Sequence, residues 1–508
     1  MHAARRLVIA LTLAGTIAST ASACTVASSG NGSALLADGR PVLAFRDCSN
    51  LFDLSVLTFP RGRERELSIG CARVAVPADY DNPSGPMLSI DLVRVHDRAN
   101  GTGRALLVNP GGPGASGIEL GVDLSARVSD AVLNNYDLIG FDPRGVGLSS
   151  PVSCISDTHK DELNAASPDV LTPAGFSAAK QDNAAVADAC SRKYGAELAD
   201  FSTVATARDL DRIRQALGTD TLNYLGFSYG TELGAQYAHL FPSHVGRFVL
   251  DGAVDPYSDV ITRFASQLKG FEQAFDQFAA NCRTVAPCRT LTDPRQAVYD
   301  LVATSTAHPI PAKGDRRAVT SSLLLTGVLS ALYSRDRWPT LGAALIAAQH
   351  GNGKQLLDLA DQYNERDADG HYTNVEDANT AIGCNDSPVG PSDDTVRATA
   401  LAWQTEYPMF GSWSAPALFS CQEWQPIRTP VPVPTAAGAS TILVVGNLHD
   451  PATPYQGALD LTKALGSAVL LSWDGAGHTS YLQGSGCVDA AVDAYLTAGT
   501  LPASGTVC

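Results

Sequence analysis

Short, unbroken apolar runs recur along this chain, separated by segments with helical spacing. Ala105 to Val108, Tyr136 to Phe141, Leu222 to Leu225, Arg247 to Asp251, Thr441 to Val445 and Ala468 to Leu471 all read as buried strands. Continuous apolar strands alternating with helices predict a mostly parallel sheet covered on both faces, an α/β architecture. Two earlier segments, Cys71 to Val76 and Leu88 to Val95, flank the turn-rich stretch Asp79 to Gly85 and predict an antiparallel pair. The pattern then changes. Ile261, Phe264, Leu268, Phe271, Phe275 and Phe278 recur every three or four residues, and Leu324, Val328 and Leu332, then Leu341, Leu345 and Ile346, continue in helical period. No strand is predicted there. The chain therefore divides into a core from 41 to 256, a mostly helical cap over 257–408 inserted between two sheet strands, and a second piece of core over 409–508. The phenylalanine stripe is assigned to packing.

The strand ending at Phe227 runs directly into a helix, with Gly226-Phe227-Ser228-Tyr229-Gly230 at the junction. A serine on so sharp a bend has a strained backbone and crowded neighbours, and glycines two residues to either side relieve the crowding. The bend lifts a hydroxyl above the sheet, within reach of a base and a substrate carbonyl. In a chain with 45 Gly the pattern is weak by itself, and its strand-before, helix-after setting carries the argument.

An alcohol is a poor nucleophile at neutral pH and needs a base. Of the 10 histidines, His478 lies in the glycine-rich loop Gly475 to His478, just after the last strand. His449 sits in another strand-end loop and is its competitor, whereas His239 and His244 flank the end of the post-serine helix. The acid that orients the base should follow a strand and fall between serine and histidine in the sequence. Asp450 meets both demands, and Asp251, which fits the first less well, is the alternative. The predicted set is Ser228, Asp450 and His478. Thr453, three residues on, would either bond the Asp450 carboxylate or cap a helix. After the first buried strand, Asn109-Pro110-Gly111-Gly112-Pro113-Gly114 can bring backbone N–H groups close to a substrate, so Gly112 and Tyr229 are the expected oxyanion donors.

Charge and cysteines narrow the picture further. A net charge of −16 argues against a nucleic-acid partner. Arg5-Arg6, the apolar run Leu7 to Ala18 and the small residues before Cys24 predict a signal peptide over 1–23. Processing there would either release a free protein or leave Cys24 as a lipid anchor. The second is favoured, with 24–40 as a flexible tether and the cell envelope as the location. No later stretch is long and apolar enough to span a bilayer. Setting Cys24 aside leaves ten of the 11 cysteines, enough for five disulfides in an oxidising compartment. Pairing of neighbours is the simplest scheme: Cys48–Cys71, Cys154–Cys190, Cys282–Cys288, Cys384–Cys421 and Cys487–Cys508. The chain lacks Cys-x-x-Cys and His-x-x-x-His spacings and a Gly-Lys-Ser/Thr phosphate loop, so neither metal nor cofactor is expected.

The segments Asn109 to Gly114, Phe141 to Gly147, Gly226 to Gly230, Asp450 to Pro454 and Gly475 to His478 together resemble the tripeptidyl-aminopeptidase-like α/β-hydrolases of actinobacteria. These include secreted mycobacterial serine hydrolases described as proteases and carboxylesterases. The resemblance runs from about Cys48 to Cys508 and extends to Ala381 to Asp386 and Cys421 to Trp424. It implies an α/β-hydrolase fold with a helical cap and the order serine, acid, histidine. It also implies a peptide substrate cleaved near its N-terminus, or a simple carboxylic ester. The family often has Tyr where this chain has Glu232. An aminopeptidase needs anions for the substrate ammonium, and Glu232 and Asp386 are the candidates.

Overall fold

The computed structural model describes residues 43–52, 65–99, 101–285 and 288–508. The predicted signal peptide, tether and Cys24 anchor lie outside the described residues. In chain order the strands are β1 (Arg46–Asp47), β2 (Leu67–Pro77), β3 (Met87–Asp97), β4 (Ala105–Asn109), β5 (Asp137–Phe141), β6 (Leu222–Phe227), β7 (Val245–Asp251), β8 (Ile310–Pro311), β9 (Ala318–Val319), β10 (Ile442–Asn447) and β11 (Ala468–Trp473). Among the described residues, nine of them form one sheet in the order β1-β2-β3-β5-β4-β6-β7-β10-β11. It is antiparallel from β1 to β5 and parallel from β5 to β11.

The parallel strands are apolar on both sides because both sides are covered. Leu107, Ile139, Tyr224, Phe248, Leu250 and Val444 point to one face, packing on α5 (Thr203–Leu217), α6 (Tyr229–Leu240) and α15 (Tyr455–Leu465). The intervening residues Leu106, Val108, Leu138, Leu225, Val249, Leu443 and Val445 point to the other, onto α1 (Gly117–Arg127), α2 (Asp130–Asn135) and α16 (Gly486–Ala498). This is period-two alternation with apolar residues at every position, as a doubly covered sheet requires.

The remaining helices form a layer above the carboxyl ends of the parallel strands. They are α3 (Asp157–Ala165), α4 (Pro173–Tyr194), α7 (Val260–Cys282), α8 (Pro294–Ala307), α9 (Ser321–Leu332), α10 (Trp338–Gln349), α11 (Lys354–Tyr363), α12 (Val375–Asp386), α13 (Asp393–Glu406) and α14 (Gly411–Ser414). The α7 stripe is core: Leu268, Phe271, Phe275 and Phe278 are buried, while Ile261 and Phe264 pack at its margin. Asp259 caps α7, accepting a hydrogen bond from the Thr262 N–H. The same apolar cluster takes in Val170 and Phe176 from ahead of the 257–408 segment and Met409, Phe410 and Phe419 from beyond it. Apolar faces close on whichever partners the topology brings, so this layer is assembled from three stretches of chain. One expectation is corrected here: the cap does contain strands, the short pair β8 and β9, joined by Ile310 to Val319. Two residues per strand are too few to show a period of two.

All five disulfides join sequence neighbours: Cys48–Cys71, Cys154–Cys190, Cys282–Cys288, Cys384–Cys421 and Cys487–Cys508. The Phe141–Gly147 motif is structural. Arg144, fully buried, makes a two-pronged contact with Asp209 at 2.8 and 2.6 Å and donates to the carbonyls of Pro77, Ala78 and Asp200. A buried guanidinium is tolerable only with its donors satisfied in this way.

Candidate active site

Ser228 stands between β6 and α6 with φ 55° and ψ −126°, a positive φ that costs a non-glycine residue energy. The bend is pinned from below: the Ser228 N–H donates to the Asp251 carbonyl at 2.9 Å, and the Ser228 carbonyl accepts from both the N–H and the hydroxyl of Thr231. The turn is so tight that a Cβ on Gly226 would lie 2.5 Å from the Gly230 carbonyl oxygen. Glycine is required there for close approach.

The loop after β4 closes on this bend. A Cβ on Gly111, whose φ is 97°, would lie 2.5 Å from the Phe227 oxygen, 2.9 Å from the Tyr229 nitrogen and 3.0 Å from the Ser228 Cβ. The loop therefore runs against the Ser228–Tyr229 peptide. Among the described residues, neither the Gly112 N–H nor the Tyr229 N–H has a hydrogen-bond partner. Both are therefore unoccupied donors close to the Ser228 bend.

His478 and Asp450 come together. The imidazole Nδ1 lies 2.8 and 3.0 Å from the two Asp450 carboxylate oxygens. That carboxylate, buried, also accepts from the backbone N–H groups of Ala452, Thr453 and Thr479 at 2.8 to 2.9 Å. With an acceptor at Nδ1, the neutral ring carries its proton there and presents Nε2 as the base. Burial pushes the His478 pKa down, but the Asp450 charge and hydrogen bond, with the Asp251 charge, outweigh it and the net shift is upward. The ring reaches the bend from β7's side: a Cβ on Gly252, which follows Asp251, would lie 3.4 Å from His478 Cε1. Among the described residues Ser228 Oγ has no hydrogen bond to His478. In unliganded hydrolases this contact is often long and tightens when substrate binds.

The alternatives separate cleanly. His449 pairs with Asp474 at 3.0 Å in an exposed position. Asp251 is fully buried and accepts from the N–H groups of Ser480 and Tyr481 at 2.8 to 3.1 Å, holding the loop that carries His478. Burial, with the Asp450 charge nearby, pushes its pKa up to about 7 despite those bonds. Of the two roles expected of Thr453, the structure shows the bond to the Asp450 carboxylate, made by the backbone and not the hydroxyl, and no helix cap. Its hydroxyl lies 3.3 Å from His478 Nδ1, and Pro454, not Thr453, precedes α15.

Glu232 and Asp386 lie near one another beneath the start of α6, and each has a partner. Glu232 is 3.6 Å from Arg263. Asp386 accepts from the N–H and hydroxyl of Thr203 at 2.9 and 2.6 Å, and burial, with the Glu232 charge, raises its pKa to about 8. A substrate ammonium would have to compete with both partners. One residue next to the base had no signal in the sequence. Tyr333, which follows α9, accepts the His478 N–H on its carbonyl at 2.8 Å and sets its ring edge-on to the imidazole, centroids 5.4 Å apart.

Residues 407–508, the span that carries Asp450 and His478, match a family model described as TAP-like protein. The serine protease Hip1 of Mycobacterium tuberculosis (strain ATCC 25618 / H37Rv) is 39% identical over 455 residues, 86% of this chain and 87% of its own length. Carboxylesterase B of the same strain is 41% identical over 451 residues, 86% of each chain. The tripeptidyl aminopeptidase of Streptomyces lividans is 32% identical over 456 residues, 87% of this chain and 83% of its own.

Proposed function

The chain belongs to the TAP-like family of α/β-hydrolases and is a serine hydrolase, and from that premise we propose that Ser228, His478 and Asp450 release short peptides from the N-termini of peptide substrates. The observation that carries the reading is the His478–Asp450 pair, held by backbone N–H groups beside a serine at a positive-φ bend. Ser228 Oγ attacks the scissile carbonyl carbon while His478 Nε2 takes its proton. Asp450 keeps the ring in the tautomer with Nδ1 protonated and stabilises the imidazolium that forms. The N–H groups of Gly112 and Tyr229 hold the oxyanion, each worth about 3 kcal/mol of barrier. His478 then gives its proton to the leaving amine, and water, activated by the same imidazole, frees the acyl group from Ser228. Glu232, paired with Arg263, and Asp386, which burial keeps protonated up to about pH 8, are engaged groups rather than free ligands for an ammonium.

A second reading is carboxylic ester hydrolysis by the same groups, favoured by the relative named as a carboxylesterase. A tripeptide anilide with a free amine and its N-acetylated form separate the two. The aminopeptidase reading expects the acetylated form to be cleaved at least about a hundredfold more slowly, the loss that follows when a site built for a polar group meets an analogue lacking it. Equal cleavage sinks it. A fluorophosphonate probe should label the protein and fail on Ser228→Ala. The reading extends to an exported enzyme, supported by the five disulfides and the Arg5–Ala23 leader pattern.

A further inference from the structure

The helical layer holds a cleft of about 830 Å³, open to solvent on one side, whose wall includes Phe264, Leu268, Phe271, Leu329, Tyr333 and Met409. Its size is that of a pocket for a small molecule or a few residues of peptide. Two segments that wall it also touch the reacting groups. The first is the end of α9. Tyr333 lines the cavity, its carbonyl accepts the His478 N–H, its ring edge meets the imidazole, and Ser334 pairs with Gly477 in an isolated antiparallel bridge. The second is the first turn of α12. Glu376 lines the cavity, its neighbour Val375 puts its carbonyl oxygen against Gly114 of the oxyanion loop, and Asn379 donates to the Pro113 carbonyl at 3.0 Å. The polar pair at this end is satisfied internally, Asn164 donating to Glu376 at 3.0 Å. The larger part of the remaining wall is aromatic and aliphatic, with Tyr333 set between Phe271 and Tyr363, while Asp169, Asp182, Asn183 and Gln404 are among its polar groups.

We propose that this cavity is the subsite for an apolar group on the acyl side of the scissile bond, and that Tyr333, its shared wall with His478, is a positioning residue for the imidazole. The inference rests on the serine-hydrolase reading above. An enzyme that releases a short acyl piece from a longer substrate must bound that piece and leave the other side open, and a walled cleft suits the bounded part. An apolar acyl group here covers Tyr333, excludes water from the imidazole edge and couples filling of the cavity to the placement of Nε2.

The test uses the full enzyme with p-nitrophenyl acetate and p-nitrophenyl decanoate, and with acetates of short and long alcohols. For the wild type, kcat/KM for the decanoate should exceed that for the acetate by about tenfold or more, since each added methylene in an apolar pocket counts. Leu329→Trp fills the cavity and should abolish the ratio through KM for the decanoate, with Leu329→Phe as the gentler filling. Tyr333→Phe keeps the ring edge against the imidazole and should retain clearly more kcat than Tyr333→Leu. Tyr333→Leu should lower kcat on both esters by about tenfold, the scale of a misplaced base. It should also shift the acid limb of the pH profile, because water reaching the ring changes both the burial that opposes protonation and the Asp450 attraction that favours it. A ratio unchanged in both Leu329 variants, a preference that follows the alcohol instead of the acyl chain, or an unaltered pH profile in Tyr333→Leu overturns the proposal. Fluorophosphonate labelling of each variant keeps this outcome distinct: protein that labels at Ser228 without a cavity-dependent preference refutes the subsite alone, and protein whose label survives Ser228→Ala refutes the reading beneath it.

Discussion

At the scale of single residues, the site is governed by two buried carboxylates that differ in what they face. Asp450 faces an imidazole and three N–H groups; Asp251 faces N–H groups only, with Asp450 as a charged neighbour. Replacing Asp450 by Asn sets an amide NH₂ against the ring and favours the wrong tautomer, and kcat should fall by about 10⁴, as for an acid of this role elsewhere. In the wild type, His478 must be neutral to act, so kcat/KM should fall as pH drops through a pKa above the ordinary histidine value of 6.5; in Asp450→Ala that limb moves down, since the charge that raises it is gone. Asp251→Asn is a different experiment. Its amide can accept from one N–H but opposes the next with its own NH₂, so the His478 loop should lose about 1–3 kcal/mol of anchoring, seen as a lower midpoint in urea and a lower kcat. The pH dependence carries a sign. Asp251 keeps its proton up to about 7 in the folded protein and loses it near 3.8 when unfolded, so the folded form binds the extra proton between those values. The stability it contributes is therefore greatest below that window and declines as pH rises through it, and the gap between wild type and Asp251→Asn should narrow from pH 4 to pH 7.

At the scale of elements, the bend at Ser228 and the loop after β4 form one device, because the loop can approach the bend only where Gly111 has no side chain. A Cβ there meets the Phe227 oxygen at 2.5 Å, so Gly111→Ala must push the loop off the elbow. The expected result is a loss of about 10² or more in kcat, the effect of removing one oxyanion donor, with KM changed much less and the labelling of Ser228 slowed but present. The two parts of this device were legible in the sequence: the glycines around Ser228 and the Asn109–Gly114 run are local patterns, and local patterns survive reading one residue at a time. The long parallel strands were legible for the same reason, since burial on both faces leaves unbroken apolar runs. What was hidden depends on partners distant in the chain. Tyr333 is one aromatic in a helical region, and nothing near it in sequence marks its contact with a loop almost 150 positions later. Asp251 carries the right residue type at a strand end, and only the third dimension shows it bonded to Ser480 and Tyr481 instead of to a ring. The pair β8 and β9 is too short for any period, and Thr453 has its hydroxyl at the imidazole because the loop after β10 turns back on itself at Asp450.

At the scale of the whole molecule, the five disulfides add covalent ties to the fold. They close loops of 23, 36, 6, 37 and 21 residues by sequence separation, and each such closure is worth about 2–4 kcal/mol in the chain-entropy account. Their combined contribution is of the order of the entire net stability of a folded protein, about 5–15 kcal/mol. They are also distributed with purpose. Cys48–Cys71 ties the chain's first described segment to β2, Cys384–Cys421 ties the end of α12 to the segment just after Phe419, and Cys487–Cys508 holds the tail against β11, where the Cys508 N–H donates to the Ser472 carbonyl. Asp386, Thr203 and the first turn of α6 hang on the second of these, two residues from Cys384. Reduction should therefore act in two stages. Mild reductant acting on the Cys487–Cys508 staple should lower the urea midpoint by an amount equivalent to about 3 kcal/mol while turnover per labelled Ser228 stays close to that of the oxidised enzyme, because the tail contacts no reacting group. Full reduction should unfold the chain at room temperature, with loss of far-ultraviolet ellipticity and labelling together, and reoxidation should restore both. A fully reduced protein that still labels at the oxidised rate would show that the sheet and the helical layer hold without their cross-links, and would remove the strongest physical support for an exported enzyme.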